Sequence, residues 1–353
     1  MRQLWKKAIA VMLMVSLFLT IYGCGKRTDK HKFSSSFFDC FDTVITVYGY
    51  ASDQTAFNQM VALVHENFLE LHEKFDAYHE YEDVINVYTL NQNAGGGPIA
   101  VSTELYELIK QSKQLYMQTG GKVNVAMGSV LQVWETYREM ATKDPDGATV
   151  PDSKILNMAA QHMDINNVVM DDPTQSIVLT DPYMSLNVGA VAKGYACEIV
   201  KDRMIDAGYN SFVISAGGNV VTVGQDIARD AAWGVGIQNP DTQTADEIID
   251  TIHASDKAIV TAGSYQRYFT VNGKRYHHII DPATLMPAMN FDSVTVICDD
   301  SLLADFMATT LFILPPGQAM ALAESIDGLD AVWVDTKGEI SYTSGYADYS
   351  KTY

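Results

Sequence analysis

The chain has 353 residues, with 24 Lys and Arg against 43 Asp and Glu, which gives a formal net charge of −19. This excess of carboxylates disfavours binding to DNA or RNA, whose phosphates require a basic surface, so we expect no nucleic-acid partner. Hydrophobic residues make up 47% of the chain and only 4 residues are Cys, which excludes a disordered chain and a disulfide-dense mini-protein.

The first 24 residues predict export and lipid attachment. Basic residues precede an apolar stretch at 8–22, which has the length of a signal-peptide core and is short for a membrane span. Gly23 before Cys24 is typical of a lipoprotein cleavage site, so 1–23 is predicted as a signal peptide and Cys24 as the lipidated residue. A retained signal anchor is the alternative. Both interpretations place the domain outside the cytoplasm, attached to the cell membrane.

Cleavage would remove three positive charges and no negative one, which changes the net charge from −19 to −22. Such a surface is repelled by anionic lipid, so attachment would depend on the acyl chains. The segment 24–36 is predicted as the lipidated cysteine and a polar tether, and 37–353 as one large domain.

Three further cysteines, Cys40, Cys197 and Cys298, have no CxxC spacing and lie in apolar or helical contexts. This pattern disfavours a zinc site and predicts buried free thiols. A disulfide between two of them is left open by the sequence.

The remaining chain mixes helices and strands. Apolar residues at helical spacing, together with caps and breakers, predict helices at 53–73, 103–118, 190–207, 301–313 and 317–326. Segments rich in β-branched and aromatic residues predict strands at 41–48, 176–180, 211–215, 219–224, 233–238, 258–262, 267–271, 293–298, 330–335 and 339–343. There is no regular βαβ alternation, so we predict an α+β fold with mixed or antiparallel sheets and flanking helices.

Three clusters combine small residues with groups that can do chemistry. The segment 187–196 places Lys193 at a helix start, where free N–H groups can meet phosphate, although such residues more often serve close packing. The glycines of 215–219 allow a tight turn that a plain hairpin would also explain. The third cluster joins 261–265 to His277 and His278 before an Asp-Pro turn, where a histidine can act as a base or be merely structural.

A fourth cluster lies on the predicted helix 301–313. Asp305 and Thr309 are four residues apart and therefore share one helix face. Their neighbours are apolar, and a buried carboxylate needs a partner. Carboxylate, hydroxyl and carbonyl oxygens together suit Mg²⁺, whereas a simple Asp–Thr pair on the helix surface is the alternative.

Taken in order, these segments resemble the motifs of the ApbE family of flavin transferases. The matching segments are NVGAVAKGYA at 187–196, SAGGN at 215–219, TAGSY at 261–265, HIIDPATLMP at 278–287 and LADFMATTLF at 303–312. Upstream, 41–46, 74–78 and 120–128 are similar to further family segments. The resemblance spans 37–343 and implies a single ApbE-like, T-fold-like domain. Asn187 and Asn124 stand where the family has Asp, which concerns binding details more than the reaction.

The resemblance also implies an activity. The family splits the pyrophosphate of FAD and transfers FMN to a Thr or Ser hydroxyl of an acceptor protein, in an Mg²⁺-dependent reaction that releases AMP. By resemblance, His278 activates the acceptor hydroxyl, Lys193 assists FAD binding, and Asp281 either orients His278 or caps its turn. The implied Mg²⁺ ligands are Asp305, Thr309 and the carbonyl of Ala190. The implied FAD-pocket residues are Phe41, Tyr78, Asn124, Asn187 and Ile279.

The acceptor implied by the family is a subunit of a membrane redox complex or an extracellular flavoprotein. Three alternatives remain at this stage. A flavin-binding carrier lipoprotein would hold FAD without transfer, an FAD pyrophosphatase would release FMN and AMP, and a solute-binding lipoprotein would show two similar lobes with a hinge.

Overall fold

A computed structural model describes residues 30–241, 244 and 246–353 of the chain. The predicted signal peptide, Cys24 and most of the predicted tether therefore lie outside the described residues. Within the described part of the chain, no helix is long and apolar enough to cross a membrane.

The strands, numbered along the chain, alternate irregularly with helices. They are β1 His31–Phe37, β2 Ile45–Ala51, β3 Ile99–Ala100, β4 Val168–Asp171, β5 Ser176–Leu179, β6 Phe212–Ala216, β7 Asn219–Val223, β8 Trp233–Gln238, β9 Ile248–Ala254, β10 Ala258–Gly263, β11 Tyr268–Val271, β12 Lys274–His277, β13 Ile280–Asp281, β14 Met286–Pro287, β15 Phe291–Cys298, β16 Asp330–Asp335 and β17 Ile340–Tyr342. The helices are α1 Gln54–Phe75, α2 Val87–Gln92, α3 Thr103–Gln118, α4 Gly128–Lys143, α5 Ser153–Ala159, α6 Ala192–Asp206, α7 Ser301–Ile313 and α8 Pro316–Glu324. This architecture confirms the predicted α+β class.

The centre of the fold is an eight-stranded antiparallel sheet in the order β1-β2-β6-β7-β10-β15-β16-β17. Both of its faces are covered. Val260 and Val296 belong to the main core, which includes α6 and α7, whereas Ile259 and Ile297 pack in a second cluster with the β8–β9 hairpin. Burial on both faces explains why β15 is apolar along its length instead of alternating.

Helix α7 is almost fully enclosed by the sheet and by α6, and its side chains are buried all round. A helix that is hydrophobic on every side belongs in a core, so a carboxylate within it is exceptional. A separate apolar cluster joins α4, α5 and the β11–β12 hairpin through Val130, Trp134, Leu156 and Phe269. The candidate site lies between this cluster and the main core.

The structure corrects the predicted extent of the tether. Residues 31–37 form β1, which pairs with β2 at the edge of the central sheet. Phe33 and Phe37 are half-buried on one face of β1. The serines between them make the segment polar in composition, which masks the alternating pattern of a strand. The predicted strand 41–48 also begins later than expected, at Ile45, because Phe41 and Asp42 have φ of 55° and 50° and form a left-handed turn.

Most other predicted elements are confirmed within two or three residues, whereas the helices α2, α4 and α5, the strand β9 and the short strands β3, β4 and β12 to β14 were missed. Cys40, Cys197 and Cys298 are buried and free, as predicted. Burial raises the pKa of Cys40 and of Cys298 to about 12, so both remain thiols at ordinary pH.

Candidate active site

The residues predicted for the site converge on one cavity at one end of the central sheet. The cavity is lined by nine of them, namely Tyr78, Asn124, Asn187, Ala190, Lys193, His278, Ile279, Asp305 and Thr309. Residues separated by more than 200 positions therefore meet at this end of the sheet. Cys24, the predicted lipidation residue, lies outside the described residues.

Asp305 is positioned by the close crossing of α6 and α7. The residue is only 6% exposed. The crossing depends on Gly194, because a Cβ added there would lie 2.3 Å from the carbonyl oxygen of Ser301 and 2.5 Å from Cβ of Asp305. The packing of the two helices thus decides where this carboxylate lies.

The surroundings of Asp305 favour a cation beside it. Burial raises the pKa of Asp305, and the nearby positive charge of Lys193 opposes this rise without cancelling it. Thr309, one turn along α7, and Ala190, just before α6, line the same cavity. A carboxylate, a hydroxyl and an available backbone carbonyl are the oxygen donors that Mg²⁺ accepts, so these residues fit that ion.

A buried amide at the same end of the cavity lies beside the Asp305 carboxylate. The β6–β7 turn uses Gly217 and Gly218, with φ of 55° and 100°, and it places Asn219 against the cavity. Asn219 is 2% exposed, and its side chain lies beside the Asp305 carboxylate, whose pKa it helps to lower, although Nδ2 forms no hydrogen bond of good geometry among the described residues. A buried amide with a poorly formed hydrogen bond is costly, and a phosphate oxygen in the cavity would give it a better acceptor.

The two adjacent histidines have different hydrogen bonds. His277 is 5% exposed; its Nε2 donates to the carbonyl of Ala288 and its Nδ1 accepts from the N–H of Ile279. Both of its ring nitrogens are therefore occupied. His278 lies at the cavity with Nδ1 3.3 Å from the carbonyl oxygen of Arg267. A carbonyl only accepts, so Nδ1 carries the proton and Nε2 has the free lone pair of a base.

Electrostatics keep this base unprotonated. Burial, followed by the positive charges of Arg267, His277 and Lys193, lowers the pKa of His278 to about 3. Asp281 does not contribute to its orientation. The Asp281 carboxylate accepts from the N–H of Ala283 and lies 3.3 Å from Lys122 Nζ, so it caps the turn, which resolves the two roles considered above.

Asn187 connects the helix start to the rim of the cavity. Its Oδ1 accepts from the N–H of Gly189 at 2.9 Å, and its Nδ2 donates to the Tyr78 hydroxyl at 3.3 Å. The Tyr78 hydroxyl in turn donates to Glu135 of α4 at 2.7 Å. Burial and then the Glu135 charge raise the pKa of Tyr78, so the hydroxyl stays protonated and able to donate. This chain of hydrogen bonds ties the two sides of the cavity together.

Two of the residues predicted to bind FAD, Asn124 and Ile279, also have structural roles. Asn124 Nδ2 donates to the carbonyl of Met163, and its Oδ1 accepts from the N–H of Ala126, so both ends of this amide are already paired. Ile279 contributes a buried apolar wall. Both line the cavity, as the resemblance implied.

Phe41 is the exception among the predicted pocket residues that the structure describes. Its ring packs against α1, with ring centroids 6.1 Å from Phe68, 5.4 Å from His72 and 6.4 Å from Phe75, rather than lining the cavity. The left-handed turn at Phe41 directs the chain toward α1 before β2 begins. The structure therefore does not bring Phe41 together with the other predicted residues.

Sequence reasoning missed the contribution of α4 and of the β11–β12 hairpin. Trp134 stacks on Tyr276, with ring centroids 6.1 Å apart at 22°, and Phe269 lies 5.7 Å from Tyr276 at 25°. These aromatic rings line one side of the cavity, together with Arg138 and Arg267. The apolar spacing of Val130, Trp134 and Ala141 would have predicted α4. No local pattern in the sequence indicates that Arg267 of the hairpin lines the cavity.

Comparison with known proteins shows the family of this chain. The ApbE family matches residues 41–333. An FAD:protein FMN transferase from Klebsiella pneumoniae (strain 342) is 32% identical over 278 residues, covering 76% of this chain and 83% of the relative. One from Treponema pallidum (strain Nichols) is 28% identical over 349 residues, covering 95% and 93%.

Solved structures show the same fold. An ApbE protein from Thermotoga maritima superposes with a TM-score of 0.80 at 24% identity, covering 91% of this chain and 100% of the other. The flavin transferase ApbE from Vibrio cholerae superposes with a TM-score of 0.76 at 21% identity, covering 91% of this chain and 99% of the other. On the family match and the similarity to the Klebsiella relative, this chain belongs to the ApbE family.

Proposed function

We propose that this protein transfers FMN from FAD to a Thr or Ser hydroxyl of an acceptor protein, with Mg²⁺ as the required ion and AMP as the leaving product. The observation that carries the proposal is the meeting of Lys193, His278, Asp305 and Thr309 in one cavity. The relatives named above are FAD:protein FMN transferases, which supports the same reaction class for this chain.

The reaction is a phosphoryl transfer. The acceptor hydroxyl oxygen forms a bond to the phosphorus of the FMN half, and the bond from that phosphorus to the bridging oxygen breaks, so AMP leaves with the bridging oxygen. The hydroxyl proton passes to Nε2 of His278. This nitrogen has a free lone pair, because Nδ1 carries the ring proton and donates it to the Arg267 carbonyl. Such reactions depend mainly on positioning and charge neutralisation.

The cavity supplies both the positioning and the charge neutralisation. Lys193, in the first turn of α6, provides a positive charge for the pyrophosphate, and the N-terminal end of that helix adds the positive end of its dipole. Tyr78, Asn187, Asn124 and Ile279 are proposed to hold the flavin nucleotide. Phe41 is left out of this proposal because its ring packs against α1.

Asp305, Thr309 and the carbonyl of Ala190 are the proposed Mg²⁺ ligands. When bound there, Mg²⁺ would neutralise charge on the pyrophosphate oxygens. The high pKa that burial imposes on Asp305 is consistent with a carboxylate whose ionised form depends on a bound cation.

We further propose that the protein is a lipoprotein anchored through Cys24 outside the cytoplasm. The support is the order of basic, apolar and small residues before Cys24. An acceptor at the same surface, either a membrane redox subunit or an extracellular flavoprotein, would be within reach.

The direct test uses the full chain in detergent with FAD, Mg²⁺ and a protein or peptide carrying a candidate acceptor Thr. Mass spectrometry of the acceptor and detection of AMP report the reaction. An FMN adduct that requires Mg²⁺ supports the transferase. AMP and free FMN without an adduct, across several acceptors, favour a pyrophosphatase, and bound FAD that stays intact favours a carrier.

A further inference from the structure

The register of the β11–β12 hairpin places Arg267 directly opposite His278. The hairpin pairs Tyr268 with His277 and Phe269 with Tyr276. One position beyond its open end, the N–H of His278 donates to the carbonyl of Arg267 at 3.2 Å, so the pairing continues to these two residues. Opposed residues in an antiparallel pair project from the same face, so both side chains project toward one side.

That face of the hairpin lines the cavity, where His277, at the end of β12, is also present. Side chains two positions apart on a strand share a face, which groups Arg267 with Phe269, and His278 with Tyr276. All four line the cavity. Arg275 lies on the opposite face, where its guanidinium carbon is 4.4 Å from the centroid of the Tyr268 ring. The hairpin thus carries one arginine toward the cavity and one away from it.

The Arg267 guanidinium has no carboxylate partner within the part of the chain that the structure describes. Arg267 is exposed at the mouth of the cavity. Its charge still acts on both sides of the cavity, because it helps to lower the pKa of His278 and opposes the rise in the pKa of Asp305. An unpaired arginine between a base and a cation site is available for an anion.

The charge of the lining also favours an anionic ligand. The protein as a whole has a net charge of −19, yet the cavity is lined by four basic side chains, Lys122, Arg138, Lys193 and Arg267, against the two carboxylates of Glu135 and Asp305. Lys122 and Arg138 are near Asp281 and Glu135, at 3.3 and 4.0 Å. Lys193 and Arg267 remain as the cations that can meet a phosphate.

We propose that Arg267 is a catalytic residue that binds the FMN-side phosphate of FAD, the phosphate that the acceptor hydroxyl attacks. The inference rests on the proposed transfer reaction. Because His278 takes the proton of the attacking hydroxyl, the group beside His278 contacts the phosphate under attack. The AMP phosphate leaves on the opposite side of that phosphorus, away from Arg267.

The test compares Arg267→Gln, Arg267→Lys and the matched control Arg275→Gln in the full chain, with FMN and AMP as separate probes. FMN binding is followed by flavin fluorescence and AMP binding by calorimetry. Arg267→Gln should weaken FMN binding about 10- to 100-fold, as expected when a hydrogen bond to a charged group is lost, and leave AMP binding unchanged. Arg267→Lys should recover part of the FMN affinity, because it keeps the charge but not the planar fork.

In the transfer assay, Arg267→Gln should lower kcat far more than it raises KM for the acceptor, and Arg275→Gln should behave as the parent protein. Unchanged FMN affinity in Arg267→Gln, or a rise in acceptor KM alone, would overturn the assignment and make this arginine an acceptor-docking residue. Equal losses of FMN and AMP binding in both Arg267 variants would also overturn it. A parent protein that binds FMN but forms no adduct would contradict the transfer reaction, while the FMN measurement would still decide the role of Arg267.

Discussion

The N–H of Gly194 donates a hydrogen bond to Oδ2 of Asp305 at 2.8 Å, which joins the first turn of α6 to the middle of α7. This contact holds a carboxylate at the cavity inside an otherwise apolar helix. It exists because the position on α6 has no side chain, so the two backbones can approach closely.

Gly194→Ala should therefore damage both the fold and the site. The added Cβ would meet backbone and Cβ atoms at 2.3 and 2.5 Å, which cannot rotate away. We expect a loss of about 1–3 kcal/mol in the free energy of unfolding, together with loss of FMN transfer. Urea unfolding of Gly317→Ala is the matched control, because that Cβ would meet nothing within 4 Å; equal effects of the two substitutions would contradict this account.

Asp305→Asn should separate metal binding from folding. The substitution removes a buried charge whose pKa is already raised by burial, so the metal-free protein should be as stable as the parent or more so. Transfer should fall by about 100-fold or more, because several kcal/mol of charge stabilisation would be lost. The parent should melt at a higher temperature when Mg²⁺ is added, and this shift should vanish in Asp305→Asn; an undiminished shift would place the ion elsewhere.

The two histidines should respond in opposite ways. His278→Ala should retain FAD binding and stability but lower transfer by about 10²- to 10⁴-fold, the usual contribution of a general base. His277→Ala should instead lower the melting temperature, since it removes a buried ring bonded to the Ala288 carbonyl. Thermal melts and transfer rates of both variants distinguish these roles, and full transfer by His278→Ala would remove His278 from the mechanism.

The pH dependence of transfer should lack the acid limb of an ordinary histidine. Because the pKa of His278 is lowered to about 3, its imidazole is already neutral well below 6.5 in the free enzyme. Lowering the pH from 7 to 5 should thus leave the fraction of neutral His278 unchanged. The value of kcat/KM should therefore show no loss from protonation of this residue. An NMR titration of the imidazole checks this directly, and a midpoint near 6.5 would show that the site does not depress it.

The anchoring of β1 to the sheet should weaken in acid. Lys32 Nζ lies 2.8 Å from the Asp226 carboxylate, which also accepts from the Tyr50 hydroxyl. Burial raises the pKa of Asp226, but the hydrogen bonds from Lys32 and Tyr50 outweigh it and hold that pKa below the ordinary value. A lowered pKa in the folded state contributes stability above the unfolded value of about 3.9, and this stability is lost as the pH falls through the folded pKa.

Asp226→Asn should accordingly flatten the acid limb of stability, measured by urea unfolding between pH 6 and pH 3. Glu139→Gln is the matched control, because the Glu139–Lys143 pair is exposed on both sides and such pairs contribute little. An unchanged acid limb in Asp226→Asn would show that other carboxylates control acid unfolding.

Much of the site was predictable because its residues belong to short contiguous segments. Lys193 follows small residues at a helix start, and Asp305 and Thr309 are one helical turn apart, so local spacing identifies their chemistry. Asn219 was predictable only as part of a turn. That its side chain is buried beside Asp305 depends on the packing around β7, which no local pattern encodes.

Other assignments needed the tertiary structure. The residue pattern alone does not distinguish His277 from His278. The family resemblance favoured His278, and the hydrogen bonds to the Ala288 and Arg267 carbonyls give the physical reason. Residues 31–37 look like a polar tether until they pair with β2. Phe41 lies in a segment that resembles a family motif, yet a left-handed turn directs it to α1.

By itself, the sequence determined the α+β class, most of the helices and strands, and the oxygen, nitrogen and ammonium groups of the site, because periodicity and motif spacing are local properties. Only the tertiary structure decided which groups meet, which histidine has a free nitrogen, and that Arg267 faces His278. Strand register, helix crossing and burial set these relationships, and each depends on residues far apart in the chain.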